Sequence, residues 1–348
     1  MTSLTVPENT TFNIEVCGTN ARPLAIRVSA GKTLDINGKT SNIGAVNGAK
    51  GAVLNLNEDA EFASIATFGS VNVDSGKTLT VTSKLSAVTS LNGTVKLPTV
   101  KTTAATVTAG NAEIILVEGN IAKITLADVT EKVNVKVVDE NDEAVKLSSG
   151  TIVLYSTKNI SEKVTVENTT DDGKELNAFF YKKNKAIKAE WADAVTLSYG
   201  DTHRQFPNVE LALEEIKDKN TDYTLTLNTS VTEPKFVLPK TAKSITINGT
   251  GTLTTAVTSI AAPVDTTIGC TIKHSADKTI ALKAAANTTL TLSAENTFGA
   301  VSGARTSVLN VNENIETASI ATFGSVNVAE EKVLTVSGKL SAVSSLNG

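Results

Sequence analysis

Cysteine, aromatic residues and long apolar runs are all scarce in this chain. Its 348 residues include two cysteines, one tryptophan, one methionine and two histidines, and 4% of them are aromatic. Two cysteines, Cys17 and Cys270, make no disulfide framework, and the internal alignment below places them at non-equivalent positions. The histidines, His203 and His274, stand in no His/Cys/Asp cluster at ligand spacing, which removes a zinc site. No apolar stretch reaches transmembrane length, and Met1-Thr-Ser-Leu4 lacks the basic and apolar regions of a signal peptide. The formal charge is −4 without a long Lys/Arg run, which argues against nucleic acid or an anionic membrane as partner.

What is abundant is Thr, Asn, Ser and Val, a mixture suited to pleated strands with polar outward faces. The chain also repeats itself. Residues 43–93 reappear without a gap at 298–348, with about two-thirds of positions identical, and Ser64–Val73 returns unchanged as Ser319–Val328. Upstream, Thr2–Asn42 lies over Thr258–Thr297, so that Phe12/Ile14 fall on Ile268/Cys270 and Leu34/Ile36 on Leu290/Leu292. The chain is one period of about 255 residues followed by the opening third of the next.

A shorter beat runs inside each period. A turn followed by Thr-apolar-x-apolar recurs at Asn9–Ile14, Gly31–Ile36, Gly76–Val81, Asp265–Cys270 and Asn287–Leu292. Leu54/Leu56, Leu309/Val311, Leu225/Leu227 and Ile245/Ile247 fill the intervals at about 19–25 residues. In a strand, residues i and i+2 share a face, so each pair points inward together. A beat near 22 residues is one coil of a parallel β-helix, with Leu34, Leu54 and Leu79 expected in one inner column. Asn-Gly at 37–38, 47–48, 92–93 and 248–249 supplies the corners, where positive φ comes at little cost.

The Gly/Asn-x-Thr-Leu-x-Ile/Val signature, with Ile245-Thr-Ile-Asn-Gly249, resembles bacterial surface and adhesin proteins of the pectate-lyase-like right-handed parallel β-helix type. The resemblance covers residues 1–110 and 223–348. It implies architecture more than activity, because that superfold hosts lyases, hydrolases, adhesins and fibres.

Residues 113–195 keep the two-residue alternation at Ile114/Leu116, Ile124/Leu126, Val133/Val135, Val145/Leu147, Ile152/Leu154 and Val164/Val166, but lose the turn motif. Further coils are expected here, closed by a hairpin at Leu176–Ala189 with Phe179, Phe180, Tyr181 and Trp191 over the end. The alternative is an immunoglobulin-like sandwich across 113–195. One short amphipathic helix is expected near 206–218. Asn208 is its N-cap, Glu210 sits in the first turn, and Val209, Ala212, Leu213 and Ile216 form an apolar stripe with Phe206 ahead of it. Its expected role is to cap a terminal coil. The divisions are therefore 1–112 coils ending one module, 113–195 coils plus hairpin, 196–222 linker and capping helix, and 223–348 coils of the next module.

Chemistry is thin. His203, in Gly200-Asp-Thr-His-Arg-Gln205, reads as part of a polar connector. His274 reads as a corner residue and aligns with Gly18, so a required catalytic role would be missing from the other period. The acidic loop Asp139-Glu-Asn-Asp-Glu143 lacks the glycine of a calcium loop, and Asp171-Asp-Gly173 is a second acidic turn. The outward strand positions are mostly Thr, Ser and Asn, as at Thr78/Thr80, Thr224/Thr226 and Thr289/Thr291, with Asp35 the exception. A threonine ice-binding ladder would be interrupted at Asn13, Asp35, Asn55 and Gly269. Leu238-Pro-Lys-Thr-Ala242 resembles a sorting signal but has no apolar tail after it, and Asn168-Thr-Thr170 is a sequon that composition alone explains. No catalytic, cofactor or metal residue is expected, and no enzyme.

These readings converge on a non-enzymatic structural or adhesive repeat segment of a large secreted or cell-surface bacterial protein. It would serve as a stalk or fibre, about 60 Å per module at the coil spacing. Its expected partners are other repeat modules or copies of itself, with host or plant glycans or surface proteins as further partners. The rival is an extracellular carbohydrate-binding or polysaccharide-degrading β-helix, which a groove holding two or more carboxylates would favour.

Overall fold

The structure, a computed structural model, describes residues 3–98, 105–118, 124–129, 131–167 and 175–348. It is all-β, 61% strand and 3% helix, wound as a parallel β-solenoid of about 16 turns. The chain divides into two compact units, Met1–Glu190 and Trp191–Gly348, each with its own large sheet. Asp171-Asp-Gly173 and the sequon at Asn168 lie outside the described residues.

In the first unit the alternating apolar pairs climb the interior in register. Leu34 pairs with Leu54, Leu54 with Val71 and Val71 with Leu91. All four are fully buried. A second inner column runs Ile26, Val46, Ile65 and Leu85, and a third runs Leu24, Ile43, Phe62 and Val81. Each such side chain contributes about 1.5–3 kcal/mol by leaving water. The coil length varies around the expected beat. Thr11 and Asp35 on successive coils are 24 residues apart, Asp35 and Asn55 20, Asn55 and Asn72 17.

Two expectations about these columns need correction. Leu79 does not sit above Leu54. It pairs with Ala60 on another side of the coil, and Val71 takes the place above Leu54. The Gly-Lys-Thr-Leu turns at 31 and 76 look alike but open different sides, because coil length changes between them. Ile14 is not a core residue either. The strand Thr10–Phe12 ends before it and its side chain is 71% exposed, whereas Cys270 at the aligned position is buried.

The Asn-Gly corners divide into two kinds. Gly93 and Gly249 have φ of 88° and 111°, the left-handed backbone that glycine tolerates. Gly38 is needed for space instead, since a Cβ there would meet the Ile14 carbonyl oxygen at 2.2 Å. A further corner lies inside the long strands Ala60–Val73 and Ile315–Val328, with no turn residue to mark it. Thr67 and Thr322 both take φ 62° there, as Ala87 and Ala342 take 51° and 53° one coil later.

Between 113 and 195 the coils continue. Ala112–Val117 pairs in parallel with Val133–Val138, and Val133–Val135 with Val164–Val166. No sandwich of antiparallel sheets forms among the described residues. Val145 and Leu147 lie in a loop, and a bulge between Ile152 and Leu154 breaks that pair, leaving Val153 and Leu154 buried. The unit closes with the antiparallel hairpin Asn177–Tyr181 and Ala186–Glu190, whose second strand also pairs with Thr151–Ser156.

Within that hairpin Glu190 is buried, accepts a hydrogen bond from the Tyr181 hydroxyl and lies 4.0 Å from Lys188. Burial pushes its carboxyl above the ordinary 4.5, against the opposing pull of Tyr181 and Lys188. A carboxyl raised on folding stabilises fully below its unfolded value, and that contribution is lost as pH rises through the folded one. The wild type should therefore lose stability relative to Glu190→Gln as pH rises above the ordinary carboxyl value, read by urea unfolding at each pH. A parallel pH dependence in the two proteins would contradict the assignment.

The second unit opens with something the sequence did not announce. The antiparallel hairpin Val195–Tyr199 and Thr202–Phe206 borders the first coil strand, Asp222–Leu227. The helix runs Val209–Glu214, shorter than expected, and packs against that hairpin and Val231–Glu233. Asn208 caps it, accepting from the Leu211 N–H at 2.9 Å. Glu233 accepts from the Val209 N–H at 2.6 Å, closing a second open donor of the first turn. The coil edge is thus covered by a hairpin, with the helix supporting it. Above it Ile247 pairs with Ile268, Ile268 with Leu292, and Leu292 with Val311.

Candidate functional site

Outward positions of the coils carry an amide ladder in place of a threonine one. Asn55 donates to Asp35 at 2.6 Å, Asn72 to Asn55 at 2.7 Å and Asn92 to Asn72 at 2.8 Å. A parallel file joins Asn13, Asn37 and Asn57, and the second unit repeats the first ladder at Asn310, Asn327 and Asn347. Asn13, Asp35 and Asn55 are therefore links of ladders and not interruptions of one. The readable signal was the polar residue held between two apolar ones, as in Leu54-Asn-Leu56 and Val71-Asn-Val73. Glu58–Lys77 at 2.6 Å and Glu313–Lys332 at 2.8 Å are the same surface ion pair one period apart.

Other candidate residues are absorbed by local structure. His203 is exposed and meets the Ser198 hydroxyl across its hairpin at 2.8 Å. Asp139 accepts from the backbone N–H groups of Asn141 and Glu143 at 2.8 and 2.9 Å. Those bonds, the Glu143 one foremost, hold its carboxyl below the usual range. The acidic loop is a self-capped turn, with Asp142 reaching Lys96. Cys17 is exposed in the short strand Val16–Cys17, not after it, and Cys270 is a buried thiol pushed up to about 12 by burial. In the sorting-like stretch Leu238 and Ala242 are buried, and the Thr241 hydroxyl donates to the Ile216 carbonyl at 2.8 Å.

Among the clefts lined by described residues, two stand at matching places in the repeat, one in each unit. The larger, about 700 Å³, lies where β-strands begin in the second unit. One wall is the outward file Thr297, Glu316 and Thr335, register partners on three successive coils. The other is the end of Asp265–His274 with the turn that follows, bringing Lys273, His274, Asp277 and Lys278. Asn296 bridges the walls, accepting from the Ile272 N–H at 2.8 Å and donating to the Cys270 carbonyl at 3.0 Å. Glu295 completes a set of three carboxylates and two lysines.

His274 is not the corner residue expected from the sequence. It ends a strand, is 8% exposed, and its Nδ1 accepts from the Ala276 N–H at 3.0 Å. The ring proton therefore resides on Nε2, which is buried and meets no protein acceptor.

The cleft in the first unit, about 470 Å³, stands at the same place in the period. Glu61, Thr78 and Thr80 correspond there to Glu316, Val333 and Thr335. It too holds three carboxylates, Asp59, Glu61 and Asp142, and two lysines, Lys96 and Lys136. The Thr40 hydroxyl in its wall is buried without a partner.

Fold and clefts together define a parallel β-solenoid repeat protein. No family model matches the chain, and no curated protein or solved structure matches it at a significant level.

Proposed function

We propose that the chain is a structural, adhesive repeat segment of a large secreted or cell-surface bacterial protein, built to extend by stacking one module's coils on the next. One observation carries this reading. The repeated stretch forms the same coils twice, with Leu85 and Leu91 both buried and Leu91 paired with Ala109 of the strand Ala105–Val117 above it. Their counterparts Leu340 and Leu346 are 49% and 59% exposed on the strand Leu334–Asn347, which offers an equivalent seat. Open backbone groups along such a strand pair readily with another coil. Sedimentation velocity over a rising concentration series should show reversible association of the chain, abolished by Leu340→Lys with Leu346→Lys. A strict monomer at high concentration would remove head-to-tail stacking.

The second reading, an extracellular carbohydrate-binding or polysaccharide-degrading solenoid, draws its support from the two clefts and their carboxylates. Binding of an oligosaccharide to the intact chain separates it from a purely structural role.

A further inference from the structure

We infer that the open coil face at Leu334–Asn347 is a docking seat for a coil of the kind that Ala105–Val117 forms, in preference to the opening coils of another copy of the chain. This rests on the stacking reading above and names the partner of that face.

The chain carries this face twice and holds an occupant on it once. Leu85, Val88 and Leu91 recur as Leu340, Val343 and Leu346. In the first unit all three are buried, and the strand Ala105–Val117 lies along the face in parallel. Val107 pairs there with Val88, Ala109 with Leu91 and Ala112 with Gly93. In the second unit Leu334–Asn347 pairs only with Ile315–Val328 among the described residues, and Leu340 and Leu346 stand exposed. The layer below is the same in both, with Ile320 and Val326 buried as Ile65 and Val71 are. The covering strand is what differs.

The end of the amide ladder makes the seat selective. Asn92 accepts from the Asn111 N–H at 3.1 Å, and a Cβ on Gly110 would run into the Asn92 side-chain oxygen. A glycine therefore lets the covering strand pass this close. Asn347 holds the equivalent place, donating to Asn327 at 2.8 Å. The opening coil of another copy would bring Thr10 and Thr11 to the columns of Leu346 and Asn347, with no glycine over the asparagine. Its strands are four, three and two residues long, against thirteen in Ala105–Val117. One long strand satisfies more of the open N–H and C=O groups along the edge.

The test places a thiol in the seat. Leu346→Cys in a Cys17→Ser chain leaves one accessible cysteine, since Cys270 is buried. Its labelling by a water-soluble maleimide is timed over a rising concentration of the chain. The same measurement is made on the chain extended after Gly348 by the sequence of residues 94–190, whose described strands cover and close the first unit. The extension should slow labelling about 100-fold or more at every concentration, while the unextended chain slows less than about tenfold at the highest. Labelling as fast with the extension as without it would overturn the inference. Concentration-dependent slowing of the unextended chain would then still uphold stacking, and its absence would remove both. Slowing of the unextended chain to the rate of the extended one would also overturn the inference, making another copy the occupant.

Discussion

Leu91→Ala should remove about 2–5 kcal/mol from its unit, while Leu346→Ala should cost about 0.5 kcal/mol or less. The two leucines occupy the same place in the repeat, inside Ser-Leu-Asn-Gly. Leu91 is enclosed between Val71 below and the strand Ala105–Val117 above. Leu346 has Val326 below and is 59% exposed. Local sequence is held constant, so the difference measures what an added coil contributes. Hydrogen exchange of the amides in Ala60–Val73 and Ile315–Val328 reads each unit separately, which a global melt of two units would not. Equal losses would mean that stacking is not what stabilises the coils.

Gly249→Ala should be nearly as damaging by a different route. Its φ is 111°, and a Cβ would stand 2.3 Å from the Leu227 carbonyl oxygen and 2.7 Å from the Leu227 nitrogen. Both obstacles are backbone of the coil below, so the ladder between Asp222–Leu227 and Ser244–Thr255 must part. A loss of about 2 kcal/mol or more is expected. Gly76→Ala is the control. Its φ is 73° but nothing lies within 4 Å, leaving only left-handed strain of about 1–2 kcal/mol. Thermal midpoints and soluble yield of the two variants decide the matter. Similar behaviour would show that the corners are held by backbone angle alone and not by the close approach of coils.

The coil was legible because its physics is local. Inward pairs two apart, a polar residue between them and a turn ahead of them are all visible in Thr33-Leu-Asp-Ile36 or Val53-Leu-Asn-Leu56. Phase was harder to read. Whether Leu79 follows Leu54 depends on how many residues each side of the coil consumes, and the 17-residue step from Asn55 to Asn72 carries no marker. The corner at Thr67 was hidden for a related reason. A β-branched residue with φ 62° opposes its own preference and is held there by the surrounding coils.

The hairpin Val195–Phe206 was missed because an edge strand and a coil strand share one alternation. The clefts could not be read at all. Lys273, Glu295 and Glu316 come from three coils, and only register places them together. His274 was discounted because its aligned position is Gly18, yet what isolates its Nε2 is burial, which alignment does not report.

The central claim is the register of stacked coils, and a pair of cysteine cross-links tests it most directly. In a chain with Cys17→Ser, the variant Asn55→Cys with Asn72→Cys places two cysteines on register partners. In-register parallel neighbours lie about 4.8 Å apart, within the range a disulfide spans. Mild oxidation should close this pair rapidly and leave Asn55→Cys with Thr80→Cys open, since Thr80 pairs with Glu61 instead. Closure of the Asn55/Thr80 pair, with Asn55/Asn72 remaining reduced, would contradict the stacking described for the whole chain.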